Sequence, residues 1–378
     1  MITRVSALAI TGFLLIAVTY GMARFAWGLM LPSVGQDITL SPRAAGLIAA
    51  CSYIAYCFSS LCASWLTGRF GARATAIAAA LCAALGLALL ASSSSAAQLA
   101  AGLFVAGLSS GLASPALAAA VSQRVAENRQ STTNTFINAG TGGGIILSVP
   151  VLLFIPWGWR GACVAFAVLA LLCLLPVMRY LPAAREQGAE NKQSWRQVLL
   201  CRTLQRLALI AFICGIASAA WWNFGPDILQ NHLHIAKETT SMLWLVSGGA
   251  GIAGVFTGAL AAHMGWNRVY WLALLCMAAP LALLALSHGY SGWFIPAAAL
   301  CGVGYITLSG VLLVCGASAT AQAPATGVGI VFFMLATGQV AGSVVFGQLY
   351  GLLGAALSLW IFAGLALLIM LLPPIKGA

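Results

Sequence analysis

Ser64-Trp65-Leu66-Thr67-Gly68-Arg69-Phe70-Gly71 follows one long apolar run, and Gly258-Ala259-Leu260-Ala261-Ala262-His263-Met264-Gly265 follows another. The stretches end at Gly71 and Gly265, 194 residues apart, and the same offset carries Trp27 onto Trp221 and Pro32 onto Pro226. An offset that recurs at distant places marks an internal repeat of half the chain. Each copy must then hold what lies between these landmarks, and most of that is apolar.

The 378 residues are 62% hydrophobic and 6% charged. A soluble domain carries about a quarter charged residues, so that class is excluded. Windows of bilayer length give twelve candidate spans, near 6–31, 44–66, 74–92, 98–121, 134–156, 161–181, 204–226, 240–262, 268–287, 292–316, 326–349 and 353–373, with eleven as the alternative. The apolar run after Arg4 is too long for a signal peptide and is followed by many more spans, so it is the first membrane helix. The fold class expected is an all-α polytopic membrane protein of twelve transmembrane helices. They form two parallel six-helix repeats, residues 1–182 and 203–378, joined by a hydrophilic linker at 183–202.

The net charge of +11 is spread over short inter-helix loops, which reads as topology and not as a nucleic-acid surface. Placing Arg4 and Lys376 inside puts thirteen Lys and Arg on the cytoplasmic side against Arg43, Arg160 and Lys237 outside. Both termini are therefore expected in the cytoplasm of a cell with its inner membrane as the bilayer partner. Most of the eleven cysteines sit within apolar runs and no pair has two-residue spacing, so they read as small hydrophobes with no metal site.

Within the first span, Tyr20-Gly21-Met22-Ala23-Arg24-Phe25-Ala26-Trp27 places a permanent charge inside hydrocarbon. Between Ser6 and Leu31 no other residue is charged, and Arg24 is too deep to reach the surface easily. An Arg at that depth costs from about 3 to over 10 kcal/mol unless it faces a wet cavity or a partner. All six acids, Asp37, Glu127, Glu186, Glu190, Asp227 and Glu238, fall in loops or at span ends. A transported carboxylate, phosphate or sulfonate could supply the counter-charge at Arg24; the alternative is a structural guanidinium bonded to carbonyls and to amides such as Asn138. At helical spacing Tyr20, Arg24 and Trp27 share a face, so the two aromatics are candidate cavity walls.

Twelve spans, a central linker and two copies of one short loop resemble the major facilitator superfamily of secondary transporters over essentially the whole chain. The family loop usually reads Gly-x-Leu-x-Asp-Arg-x-Gly-Arg followed by Lys or Arg. Here Leu66, Arg69, Gly71 and Arg73 match in the first copy and Gly258, Leu260 and Gly265 in the second, while Gly68 and Ala262 replace the acid and His263 the base. The resemblance implies a conformational role for this loop and alternating access between the halves. The run from Gly21 to Trp27, ending in Leu31-Pro32, is similar to the opening helix of the YbfB/YjiJ-type bacterial permeases.

Trp221 and Asn223 occupy the equivalent region of span seven and join the candidate binding residues, while Trp222 fits an interfacial belt. Asn138 lies one turn after Asn134 on a stripe ending at Gly142, which places it towards protein or cavity. The run Gly140 to Gly144 loosely resembles the glycine-rich fifth helix of exporters without its Gly-Pro element, and close helix packing is the simpler reading. Gly107, Gly111, Ser247, Gly251, Gly254 and Gly258 also read as packing positions. Tyr305 and Gln339 are polar at depth in the second half and complete the substrate-binding set.

No Asp or Glu falls mid-span and the four His lie near loops, so a simple buried carboxylate relay is not expected. Three routes stay open: Asp227 at the mouth of span seven carries a proton, the anion crosses with its own proton, or two anions exchange. No Ser/His/Asp or His/Glu set lies inside the membrane, which argues against an enzyme, and no cofactor is expected. The leading expectation is a monomeric secondary transporter of a small anionic or carboxylate-bearing solute. Efflux of drugs or other hydrophobic compounds is the alternative.

Overall fold

The computed structural model describes residues 4–183, 201–320 and 324–375. Among the described residues eleven helices are long and apolar enough to cross a membrane: α1 Val5–Asp37, α2 Pro42–Phe70, α3 Ala72–Ala91, α4 Ala96–Arg124, α5 Glu127–Phe154, α6 Gly158–Tyr180, α7 Arg202–His232, α8 Lys237–Met264, α9 Trp266–Leu286, α10 Phe294–Ala319 and α11 Thr326–Leu353. A shorter apolar helix, α12 Ala355–Leu371, follows. These twelve fall on the twelve hydropathy windows. The largest difference is α5, which starts at Glu127 and not near 134, because its polar first turns extend the helix beyond the apolar window. Of the linker expected at 183–202, residues 184–200 lie outside the described residues.

By their contacts the residues divide into two compact units. The first holds residues up to Leu40 and from Cys51 to the linker; the second holds Ser41–Ala50 and the residues after the linker.

The repeat read from the loops is present in the backbone of both units. Gly71 has φ 87° and ψ 162°, and Gly265 has φ 85° and ψ 153°. This region is open to glycine and nearly closed to other residues. Gly71 N–H donates to Thr67 O at 2.8 Å and Gly265 N–H to Ala261 O at 2.9 Å, so each closes one helix and its own carbonyl opens the next, accepting from Thr75 and Val269 at 3.2 Å. A single residue thus turns α2 into α3 and α8 into α9.

Helix crossings repeat as well. A Cβ built on Gly21 would lie 2.5 Å from Gly144 Cα, where α1 crosses α5; one on Gly215 would lie 3.0 Å from Gly338 Cα, where α7 crosses α11. Both members of the second pair stand 194 residues after those of the first. Gly107 of α4 meets the backbone of Ser52, and Gly302 of α10 meets that of Ser247, in the same manner. Without a hydrophobic drive between helices in lipid, close backbone approach through small residues is what holds them. Gly140 and Gly143 also pack on Phe13 of α1, so the glycine run of α5 is a packing surface.

The cores differ in kind. In the first unit Ala72, Ala76, Ala79 and Ala80 of α3 pack with Leu112, Ala113, Ala116 and Ala120 of α4. In the second, larger side chains gather round Tyr270: Ile210, Leu274, Leu308 and Leu312. Tyr270 donates to Ile369 O and Trp271 Nε1 to Met370 O, both at 3.0 Å, which satisfies carbonyls that the end of α12 leaves open.

Candidate functional site

In the first unit the site begins with an irregular helix. Residues Ala17–Phe25 of α1 form a π-helical stretch, closed by Ala26 N–H donating to Gly21 O five residues back. Stretches of this kind are rare and recur at functional positions, because the wider turn re-aims side chains. Arg24 sits in it at 7% exposure. Its guanidinium carbon lies 4.5 Å from the ring centres of both Tyr53 and Tyr56, 5.7 Å from Tyr20 and 5.4 Å from Phe25. At these distances each desolvated ring is worth about 1–2 kcal/mol, so the rings offset much of the cost of the buried charge. Among the described residues no other charged side chain is buried to this degree.

The rings are themselves held. Tyr20 and Tyr56 meet edge to face at 6.2 Å, and the Tyr20 hydroxyl shares a hydrogen bond with Ser114 Oγ of α4 at 2.9 Å. Trp27, one turn beyond Arg24, is buried, and its indole N–H has no acceptor among the described residues. Asn138 is exposed at the end of the first segment of α5, next to a turn at Ala139. Ala139 N–H donates to Thr135 O at 3.1 Å and Ala139 O accepts from Gly143 N–H at 3.2 Å, so the helical register runs on through this turn. Asp37 is committed elsewhere, accepting from Trp159 Nε1 at 2.9 Å and pairing with Arg160.

The second unit gathers Trp221, Asn223, Tyr305 and Gln339 into one buried group. Gln339 Nε2 donates to the Tyr305 hydroxyl at 3.1 Å and to Ser218 Oγ at 3.3 Å, and Asn223 Nδ2 donates to Ser343 Oγ at 2.8 Å. Trp222 is not an interfacial belt residue. It is 3% exposed and lies edge-on to Tyr305 at 5.5 Å and to Trp244 at 5.4 Å. Trp244 of α8 also stacks on Trp221 at 6.3 Å, and the indole N–H groups of Trp221 and Trp244 are buried with no acceptor among the described residues. A cavity of about 10 Å³ opens among Ser218, Trp221, Trp222, Cys301 and Tyr305, room for one water and no solute.

Tyr53, Tyr56 and Trp244 were missed from sequence. The spacing of Tyr53 and Tyr56, three apart in mid-span, was the available signal for the first pair, and for Trp244 it was Thr240, Ser241 and Ser247, which share its helix face.

Asp227 of α7 accepts from Asn231 Nδ2 at 2.7 Å, with the Tyr350 hydroxyl as a further hydrogen-bond partner. In the first loop Arg69 is exposed over the rings of Trp65 and Phe70, and Arg73 Nε donates to Leu181 O at 2.8 Å, tying the start of α3 to the end of α6.

The family model of the Major Facilitator Superfamily matches residues 13–334. The chain belongs to the major facilitator superfamily. Among solved structures, the nucleoside transporter NupG superposes with a TM-score of 0.77 at 15% identity, covering 98% of both chains. A POT family transporter in complex with 5-aminolevulinic acid superposes with a TM-score of 0.77 at 14% identity, covering 97% of this chain and 94% of the other. Identities this low establish the fold alone. As a member of the superfamily the chain is a multi-pass membrane protein and a secondary active transporter that works by alternating access, not an enzyme.

Proposed function

We propose that this transporter carries a small anionic or carboxylate-bearing solute and that Arg24 binds its negative group. The observation that carries this reading is the placing of Arg24: a buried guanidinium in a π-helical stretch, with Tyr53 and Tyr56 ring centres at 4.5 Å. Aromatic faces stabilise a cation without cancelling its charge, so the attraction for an anion is retained. The buried indole N–H of Trp27 adds a donor for an acceptor-rich ligand. Neither the nucleoside nor the 5-aminolevulinic acid of the superposed proteins is carried over.

The aromatic group of Trp221, Trp222, Trp244 and Tyr305 favours a second reading, a solute with an apolar body or a hydrophobic compound for efflux. Binding assays separate the two, since organic acids need Arg24 and lipophilic cations do not.

For coupling, the Asp227, Asn231 and Tyr350 group is the candidate proton carrier, and a counter-transported anion is the alternative. The distribution of Lys and Arg supports a bacterial inner-membrane protein with both termini cytoplasmic. The Gly21 to Trp27 run supports a place among the YbfB/YjiJ-type permeases, and a monomer with two six-helix halves on either side of the linker completes the proposal.

The deciding experiment is ligand-dependent thermal stability of the purified protein across organic acids, sugar phosphates, amino acids and lipophilic drugs, wild type against Arg24→Gln. An anion that stabilises only the wild type supports the proposal; stabilisation by lipophilic cations alone refutes it.

A further inference from the structure

The first unit has a second place where positive charge converges, well apart in sequence from Arg24. Arg73 at the start of α3, Arg124 in the last turn of α4 and Arg179 in the last turn of α6 line a cavity of about 550 Å³, with Val5 and Leu8 of α1 and Tyr180. No carboxylate lines it among the described residues. Its volume lies in the range of small-molecule sites, unlike the cavity among the tryptophans.

Three guanidiniums around one space repel one another, and an anion relieves that repulsion. Arg73 is already fixed: its Nε donates to Leu181 O at 2.8 Å, which leaves the two terminal nitrogens of the fork for a ligand. Arg179 lies over the Tyr180 ring, 5.7 Å from its centre, while Arg124 is exposed. A planar fork donating in pairs matches a phosphate, and several forks match a doubly charged one. Val5 and the buried Leu8 add apolar lining to the same cavity, a mixed surface that suits a phosphate joined to an apolar body. The three arginines also belong to the end of the bundle that the Lys and Arg distribution assigns to the cytoplasm, where basic pockets between membrane helices hold lipid headgroups.

We infer that Arg73, Arg124 and Arg179 form a phosphate-binding site separate from the transport site, whose ligand is the phosphate of an anionic phospholipid headgroup or of a soluble phosphate compound. Among the described residues Arg124 and Arg179 make no hydrogen bond to backbone, so they can be neutralised without loosening the α3 to α6 tie that Arg73 makes.

The test is binding to the purified full chain in neutral detergent, by native mass spectrometry and thermal shift. The probes are phosphatidylglycerol, cardiolipin, phosphatidylcholine and inorganic pyrophosphate. The proteins are wild type, Arg124→Gln with Arg179→Gln, and Arg202→Gln as a basic control in the other unit. The site predicts binding by the wild type and the control that weakens with salt and falls at least about tenfold in the double variant, the scale of a lost charge-assisted hydrogen-bond pair. Selective binding of the anionic lipids over phosphatidylcholine identifies a headgroup; binding of pyrophosphate with the same dependence identifies a soluble ligand. Equal binding by the double variant and the wild type, or no binding of any anionic probe, overturns the inference. The double variant keeps Arg24, so a solute anion that stabilises the wild type should stabilise it equally, and failure here is distinguishable from failure of the transport-site reading.

Discussion

Gly21 and Gly144 approach so closely that a Cβ on Gly21 would sit 2.5 Å from the Gly144 Cα, and Gly215 and Gly338 repeat the approach in the second unit. The repeat keeps the crossing and changes the chemistry beside it. Three residues after Gly21 stands Arg24; three after Gly215 stands Ser218, an acceptor for Gln339. Duplicated helices thus supply the same frame to a charged site in one unit and a neutral one in the other.

Gly144→Leu should therefore be severe. Its Cβ would meet the Ala17 carbonyl carbon at 2.8 Å and Gly21 Cα at 2.9 Å, and backbone cannot move aside as a side-chain end can. Overpacking of this kind costs upwards of about 3 kcal/mol, and Gly338→Leu should cost a similar amount. Gly68→Ala meets nothing within 4 Å and should be neutral or stabilising. Melting temperature and monodispersity in detergent check all three.

Gly265→Ala probes backbone conformation alone, because nothing lies within 4 Å of the added methyl. At φ 85° and ψ 153° the expected loss is about 1–3 kcal/mol. Asn should do no better than Ala, since ψ here is far from the left-handed helical value that Asn tolerates. Equal melting temperatures for wild type and Gly265→Ala would show that the turn does not hold this conformation.

Gln339→Leu removes the donor that serves both Tyr305 and Ser218. Hydrogen bonds inside membrane proteins average about 0.6 kcal/mol and reach about 1.7, so a loss of roughly 1–2 kcal/mol is expected. In a double-mutant cycle with Tyr305→Phe the two losses should fall short of additive. Strict additivity would mean that the bond is not formed.

Asp227→Asn keeps a carbonyl to accept from Asn231 but removes the charge. If Asp227 carries the coupling proton, uptake driven by a pH gradient is lost while exchange of solute across the membrane persists. Gradient-driven uptake that survives the substitution assigns coupling to anion exchange instead.

The helices and the repeat were legible in sequence because their demands are local. Burial in hydrocarbon needs an apolar run, and Gly71 and Gly265 are required by single backbone angles. Ring contacts were less so, since they depend on how each helix is rotated: Tyr53 and Tyr56 reach Arg24 from α2, and Trp244 reaches Trp221 from α8. Trp222 was misread because depth near a span end does not say which way a side chain turns. Asn138 is exposed on α5, and a polar stripe in sequence does not by itself fix which way a helix turns it.

The most direct test of the account is the affinity of Arg24→Gln and Arg24→Lys for an anion that stabilises the wild type. At about one hundred times its dissociation constant such a ligand should add roughly 2.7 kcal/mol to the wild type. The account predicts no stabilisation of Arg24→Gln, and a weakened response from Arg24→Lys, which keeps the charge and loses the planar fork. A folded Arg24→Gln protein that binds the anion as tightly as the wild type would contradict it.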